Sequence, residues 1–199
     1  MKNYLRLVER SVLLLTLLAW IGPSVQAAAI DRPVILVATD RLAGSPYEQT
    51  VLLVAPAGER QHLGLIVNRP TEIDLATVFP EFVSQPVRDP VFFGGPAMRG
   101  LLFAGLRAAE APSDYCVSLM PGLFLVMDKT TVEALIKSSP NTARYFVGVV
   151  VWGTDELEEE IRSGMWDVQP AEADVMFRQN PQRIWLDLTR VKRLLAANY

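Results

Sequence analysis

The run Tyr145-Phe146-Val147-Gly148-Val149-Val150-Val151-Trp152 is the constraint that any fold for this chain must meet. It is apolar at successive positions, not at every second one, so a strand made from it presents apolar side chains on both faces. Such a strand belongs in the middle of a sheet and needs cover on both sides. Gly153 turns the chain after it. The cover must come from the chain on either side of the run.

The earlier part of the chain is mostly strand. Val34-Ile35-Leu36-Val37-Ala38 reads as a buried strand, and Asp40 to Tyr47 as a polar turn with Gly44 and Pro46. Thr50 to Val54 and Leu63 to Val67 are apolar runs joined by Ala57-Gly58-Glu59-Arg60-Gln61, which predicts a hairpin. Val91-Phe92-Phe93 and Leu101 to Leu106 predict a second hairpin around Gly94-Gly95-Pro96. Residues 115–119 and 123–127 predict a third, with Pro121 then Gly122 suiting a tight turn.

Helices take up the later part of the chain and two stretches before the run. Asp74 is placed to cap a short helix with Leu75, Val78 and Phe79 on its inner side, stopped by Pro80. Thr130-Thr131-Val132-Glu133 fits a capping box, Thr130 the N-cap and Glu133 at N3. Val132, Leu135 and Ile136 give that helix its apolar face. Asp155 caps a helix with Leu157 and Ile161 inward, Gly164 ends it, and Glu158-Glu159-Glu160 reads as a solvated charge run. Pro170 starts a further short helix through Val175, Met176 and Phe177. Asn180-Pro181 opens the last one, whose stripe is Ile184, Leu188, Val191 and Leu195. Strand hairpins first and helices later predict an α+β domain with a mixed sheet, flanked by short helices and ended by a C-terminal amphipathic helix.

The first residues stand apart. Lys2, Arg6 and Arg10 precede the apolar run Val12 to Ile21, Gly22-Pro23 break it, and Val25-Gln26-Ala27 offers small residues for cleavage. This is the pattern of a secretory signal peptide, predicted at residues 1–27, with one domain at 28–199. The apolar run is about half the roughly 20 residues of a membrane span, so no stable span is expected after cleavage. A retained N-terminal anchor is the other reading. The expected location is periplasmic or secreted.

Charge narrows the partners. The whole chain carries a net charge of −3. Without residues 1–27 it holds 16 Lys+Arg against 21 Asp+Glu, with no basic footprint of the kind nucleic acid leaves. No nucleic-acid partner is expected. Cys116 is the sole cysteine, so no internal disulfide can form, and its alternating surroundings predict a small buried thiol. With His62 the sole histidine, the usual His/Cys metal site cannot be built within one chain. No G-x-S-x-G elbow or nucleotide-binding glycine pattern occurs, and no cofactor is expected.

The candidate site rests on a few residues. Gly64-Leu65-Ile66-Val67 delivers Asn68 and Arg69 at a strand end, where Pro70 stops the strand. Arg69 offers a planar fork of donors for a carboxylate or phosphate. The alternative is local: Asn68 satisfies loose backbone groups and Arg69 pairs with an acid. Gly94 and Gly95, with Arg99 behind them, make either an anion-cradling turn or a plain hairpin turn. Trp152 beside Gly153 either roofs a pocket or is core. The expected ligand is a small anion or a protein partner. An enzyme using Asn68, Arg69 and His62 in a hydrolase- or transferase-like site is the competing reading.

Leu36-Val37-Ala38-Thr39, Gly64 to Pro70, Phe93 to Pro96, Gly122 to Leu125, and Trp152-Gly153 followed by Leu157-Glu158-x-Glu160-Ile161 and Trp166 occur in order. In this series the chain resembles the YqgE/AlgH family across essentially all of residues 28–199. The resemblance implies a compact α+β fold whose sheet curls into a pseudo-barrel. It implies no established catalytic residue and no cofactor. The family's label as a transcriptional regulator comes from genetic association. Its members are expected in the cytosol and carry a glycine before the tryptophan, where this chain has Val151.

Overall fold

The computed structural model describes residues 30–81, 87 and 89–196, with side chains in the last helix up to residue 190. The expected signal peptide, and the side chains of Val191 and Leu195, lie outside the described residues. The strands are β1 (Val34–Ala38), β2 (Val51–Gly58), β3 (Gln61–Ile66), β4 (Phe92–Phe93), β5 (Ala97–Arg107), β6 (Cys116–Met120), β7 (Leu123–Val126), β8 (Ala143–Trp152) and β9 (Trp166–Pro170). The helices are α1 (Leu75–Val78), α2 (Lys129–Ser138), α3 (Glu156–Arg162) and α4 (Ile184–Ala196).

All described strands join one sheet in the order β6-β7-β5-β8-β3-β2-β1-β9, with β4 lying beside β8. Every pairing is antiparallel except that of β4 with β8. The sheet curls so that β6 comes against β2. The fold is thus α+β with a mixed, largely antiparallel, curled sheet.

Three apolar layers result from this curl. Alternate residues of the strands line its inside: Ile35 and Val37, Val51 and Leu53, Leu63 and Leu65, Phe103, Phe146 and Val149. The outer face of β1, β2 and β8 presents Leu36, Leu52, Val54, Val150 and Trp152 to Leu157 of α3. The outer face of β5, β7 and β8 presents Ala104, Val126 and Tyr145 to Leu75 of α1 and to Val132 and Ile136 of α2. Residues of β8 enter all three layers, which explains its unbroken apolar run. One position departs from that run: Val151 is 49% exposed.

The second expected hairpin does not form. β4 and β5 do not pair with each other; both pair with β8, one parallel and one antiparallel. The glycines between them are pressed on β8 instead of turning a hairpin. A Cβ on Gly94 would stand 2.2 Å from the Gly148 oxygen, and one on Gly95 2.2 Å from the Val149 carbonyl carbon. Gly148 answers with φ +73, and its own Cβ would meet the Gly95 oxygen at 2.2 Å. Between the partners Ala97↔Val149 and Leu102↔Val147, β5 bulges outward at residues 98–101.

Local chemistry moved other boundaries. The N-cap of α2 is Asp128, not Thr130: its Oδ1 accepts from Thr131 N at 2.8 Å. Asp155 stands at the N-cap of α3 with φ +65 but makes no capping bond. Its carboxylate pairs with Arg60. α3 closes as expected, with Gly164 N donating to Ile161 O and Met165 N to Glu160 O, a Schellman ending. Pro170 ends β9 and starts no helix; the short 3-10 turn is Ala173–Phe177. On α1, Leu75 is buried while Val78 is 50% exposed. Cys116 is only half-buried, its thiol donating to Ser113 O at 3.0 Å.

Candidate functional site

β3 ends at Ile66, and the chain continues as Val67-Asn68-Arg69-Pro70. Asn68 is 7% exposed. Its Oδ1 accepts from Val51 N at 2.8 Å and its Nδ2 donates to Gln49 O at 2.8 Å. That clamp holds Gln49 at φ +55, a conformation a non-glycine residue adopts at a cost. Asn68 therefore serves the local backbone, the second of its two expected roles.

Arg69 is half-buried beside it. Its Nη2 donates to Glu48 O at 3.1 Å, and its own carbonyl accepts from Phe93 N at 2.9 Å. Phe93 in turn carries the Arg99 guanidinium over its ring, 5.6 Å from the centroid. Arg99 itself is exposed on the β5 bulge. Gly94 and Gly95 lie behind these residues, buried against β8, and Gly94 N already donates to Val147 O.

The other side of this region is aromatic and acidic. Trp152 is 3% exposed, and its ring lies over Gly64, where a Cβ would stand 2.6 Å from ring carbon Cζ3. Its Nε1 donates to Glu160 Oε2 at 2.9 Å, and Trp166 Nε1 donates to the same oxygen at 2.7 Å. Two indoles thus fix one carboxylate. Nearby, Glu156 Oε2 accepts from Gly153 N at 2.9 Å. Tyr47 packs edge-on against Trp166, ring centroids 5.8 Å apart.

Tyr47 links the two sides. Burial pushes its phenol above the ordinary tyrosine range, Glu160 and Glu156 push it further, and Arg69 and Arg99 pull it back. Its hydroxyl is accordingly a neutral donor. Burial lowers the Arg69 guanidinium from its usual value and Tyr47 opposes that, but an arginine stays charged in either case. One half-buried phenol thus sits in the fields of two guanidinium groups and two carboxylates.

The structure brings Arg69 and Arg99 near Tyr47, places Asn68, Gly94 and Gly95 as their support, and buries Trp152 as core, opposite His62 across β8 and β3, with only its Nε1 reaching Glu160. It does not bring His62 to Arg69. His62 is at the other end of β3, 1% exposed, its Nε2 at 2.8 Å from Ile30 O. Tyr47, Glu156, Glu160 and Trp166 were not legible as site residues. Glu160 sits in a run expected to be solvated, yet it is held by indoles, and its neighbour Glu158 is 2% exposed. Val151 pairs with Leu63 and is 49% exposed, next to the buried Trp152. Among the described residues no cluster of His, Cys, Asp and Glu is placed to hold a metal ion.

The sequence model of a family described as AlgH-like matches residues 35–194. A UPF0301 protein of Chlorobium phaeobacteroides is 30% identical over 161 residues, covering 79% of this chain and 84% of that protein. A UPF0301 protein of Streptomyces avermitilis is 28% identical over 169 residues, covering 80% and 85%. Among solved structures, the AlgH protein of Pseudomonas aeruginosa superposes with a TM-score of 0.64 at 21% identity, over 83% of this chain and 92% of that one. At that identity the likeness is one of fold.

Proposed function

The chain belongs to the AlgH-like family, and from that premise we propose that it is an exported, non-enzymatic binding protein that holds an anionic group between Arg69 and Arg99. The observation that carries this reading is the state of the two arginines. Among the described residues neither has a carboxylate partner. Arg69 is steadied by the Glu48 carbonyl and Arg99 by the Phe93 ring. Guanidinium groups fixed in this way and left without a counter-charge suit a carboxylate or phosphate. The neutral Tyr47 hydroxyl adds a donor beside them.

Export is supported by the basic, apolar and small-residue succession of residues 1–27, and by the family match beginning only at residue 35. The enzymatic alternative needs His62 near Arg69, and the length of β3 separates them. Binding is tested by following backbone amide NMR shifts while inorganic phosphate is added. Shifts are expected at Tyr47, Arg69, Phe93 and Arg99. Arg99→Ala, which alters an exposed side chain, is expected to weaken binding about tenfold, the value of one charged hydrogen bond. Shifts scattered elsewhere, or unchanged affinity in Arg99→Ala, would overturn the reading.

A further inference from the structure

The same region carries fixed charge of both signs. Glu160 is locked by two indole N–H groups on one oxygen, and Glu156 by the Gly153 amide. Arg69 is tied to the Glu48 carbonyl on the other side of Tyr47. Among the described residues none of Arg69, Arg99, Glu156 and Glu160 pairs with another. Neighbouring opposite charges ordinarily collapse into ion pairs when their side chains are free to move. Here their anchors hold them on different sides of the Tyr47 phenol, with the Phe93 ring under Arg99 and the Trp166 ring against Tyr47. Both indole bonds fall on Oε2 of Glu160, which leaves Oε1 open to a further donor.

Resting on the anion reading above, we propose that the ligand is a small zwitterion with two separated ends, of the kind a short peptide with free termini presents. Its ammonium group meets Glu160, its carboxylate meets Arg69 and Arg99, and the Tyr47 hydroxyl donates to the acceptor between them. A simple anion would leave the Glu160 carboxylate facing it, which is repulsive. A ligand with a cationic end turns that repulsion into attraction. An ammonium with three donors matches a single open carboxylate oxygen, and a flat carboxylate matches a guanidinium fork.

The test compares triglycine, N-acetyl-triglycine and triglycinamide by calorimetric titration on the full domain. Triglycine is expected to bind at least tenfold more tightly than either blocked form. Glu160→Gln keeps an oxygen for the indoles and removes the charge. It is expected to lower triglycine affinity about tenfold and to raise that of N-acetyl-triglycine, which loses a repulsion. Equal, Arg99-dependent binding of triglycine and N-acetyl-triglycine would overturn the zwitterion and leave the anion reading standing. Absence of binding by all three, with phosphate also silent, would overturn both.

Discussion

Gly148 shows how much of this fold is decided at single atoms. It lies inside the most apolar strand of the chain, where β-branched neighbours are otherwise favoured. Its φ of +73 and the 2.2 Å that a Cβ would leave to the Gly95 oxygen exclude any side chain. Gly148→Ala is expected to cost about 3 kcal/mol or more, from left-handed strain plus overpacking against backbone. Gly100, on the bulge, has nothing within 4 Å of where a Cβ would stand, so Gly100→Ala is expected to stay within about 0.5 kcal/mol of the parent. Urea unfolding of the two variants checks this; equal losses would mean that the junction of β4, β5 and β8 tolerates a methyl group. The site was legible at this scale only where a residue type announced itself. Arg69 did so because a guanidinium at a strand end invites an anion. Tyr47 and Glu160 did not, since their roles come from Trp166, which the chain delivers from the distant strand β9.

Among the elements, α2 separates two accounts of how a helix begins. The sequence offers a capping box at Thr130 and Glu133; the structure uses Asp128. Asp128 wins because its second oxygen also accepts from Ser113 Oγ at 2.7 Å, tying the helix start to the preceding loop. Asp128→Ala is expected to cost about 1 kcal/mol and Thr130→Ala a few tenths. Burial alone would raise the Asp128 carboxyl, but the hydrogen bonds from Ser113 and the Thr131 amide outweigh it and hold it below the ordinary carboxylate range. A lowered folded-state value gives stability that is present above about pH 4 and is lost as pH falls through the folded value. The gap between parent and Asp128→Ala is therefore expected to shrink in acid; thermal melts at pH 7 and pH 3 measure it. A gap that widens in acid would contradict this assignment. Long apolar runs gave β1, β2, β3 and β8 at once, and turn chemistry gave the β6–β7 hairpin. β9, Trp-Asp-Val-Gln-Pro, escaped because an edge strand needs no apolar run, only a partner in β1. The pairing of β4 escaped because adjacency in sequence predicts a hairpin, whereas the three glycines let two strands share one neighbour.

For the whole molecule, location is the property that most alters what ligands it can meet. The family domain starts at residue 35, after the segment read as a signal peptide. Intact-mass measurement on the protein from a periplasmic fraction is expected to give a chain beginning at Ala28. A full-length cytosolic species would return the chain to the location expected of its relatives. Among the described residues no helix is long and apolar enough to cross a membrane. The pairing of β1 with β9 bears on the same question. Ala38, near the start of the domain, is partnered by Trp166, near its end, and β8 must arrive before β3, β4 and β5 have a common neighbour. Contacts so distant in sequence make folding slow, and much of the sheet cannot be assembled while the later strands are still being synthesised. A polypeptide that must be threaded unfolded through a narrow channel gains time from that delay. For the export proposed above, a topology that closes the sheet late would keep the nascent chain passable while it is threaded.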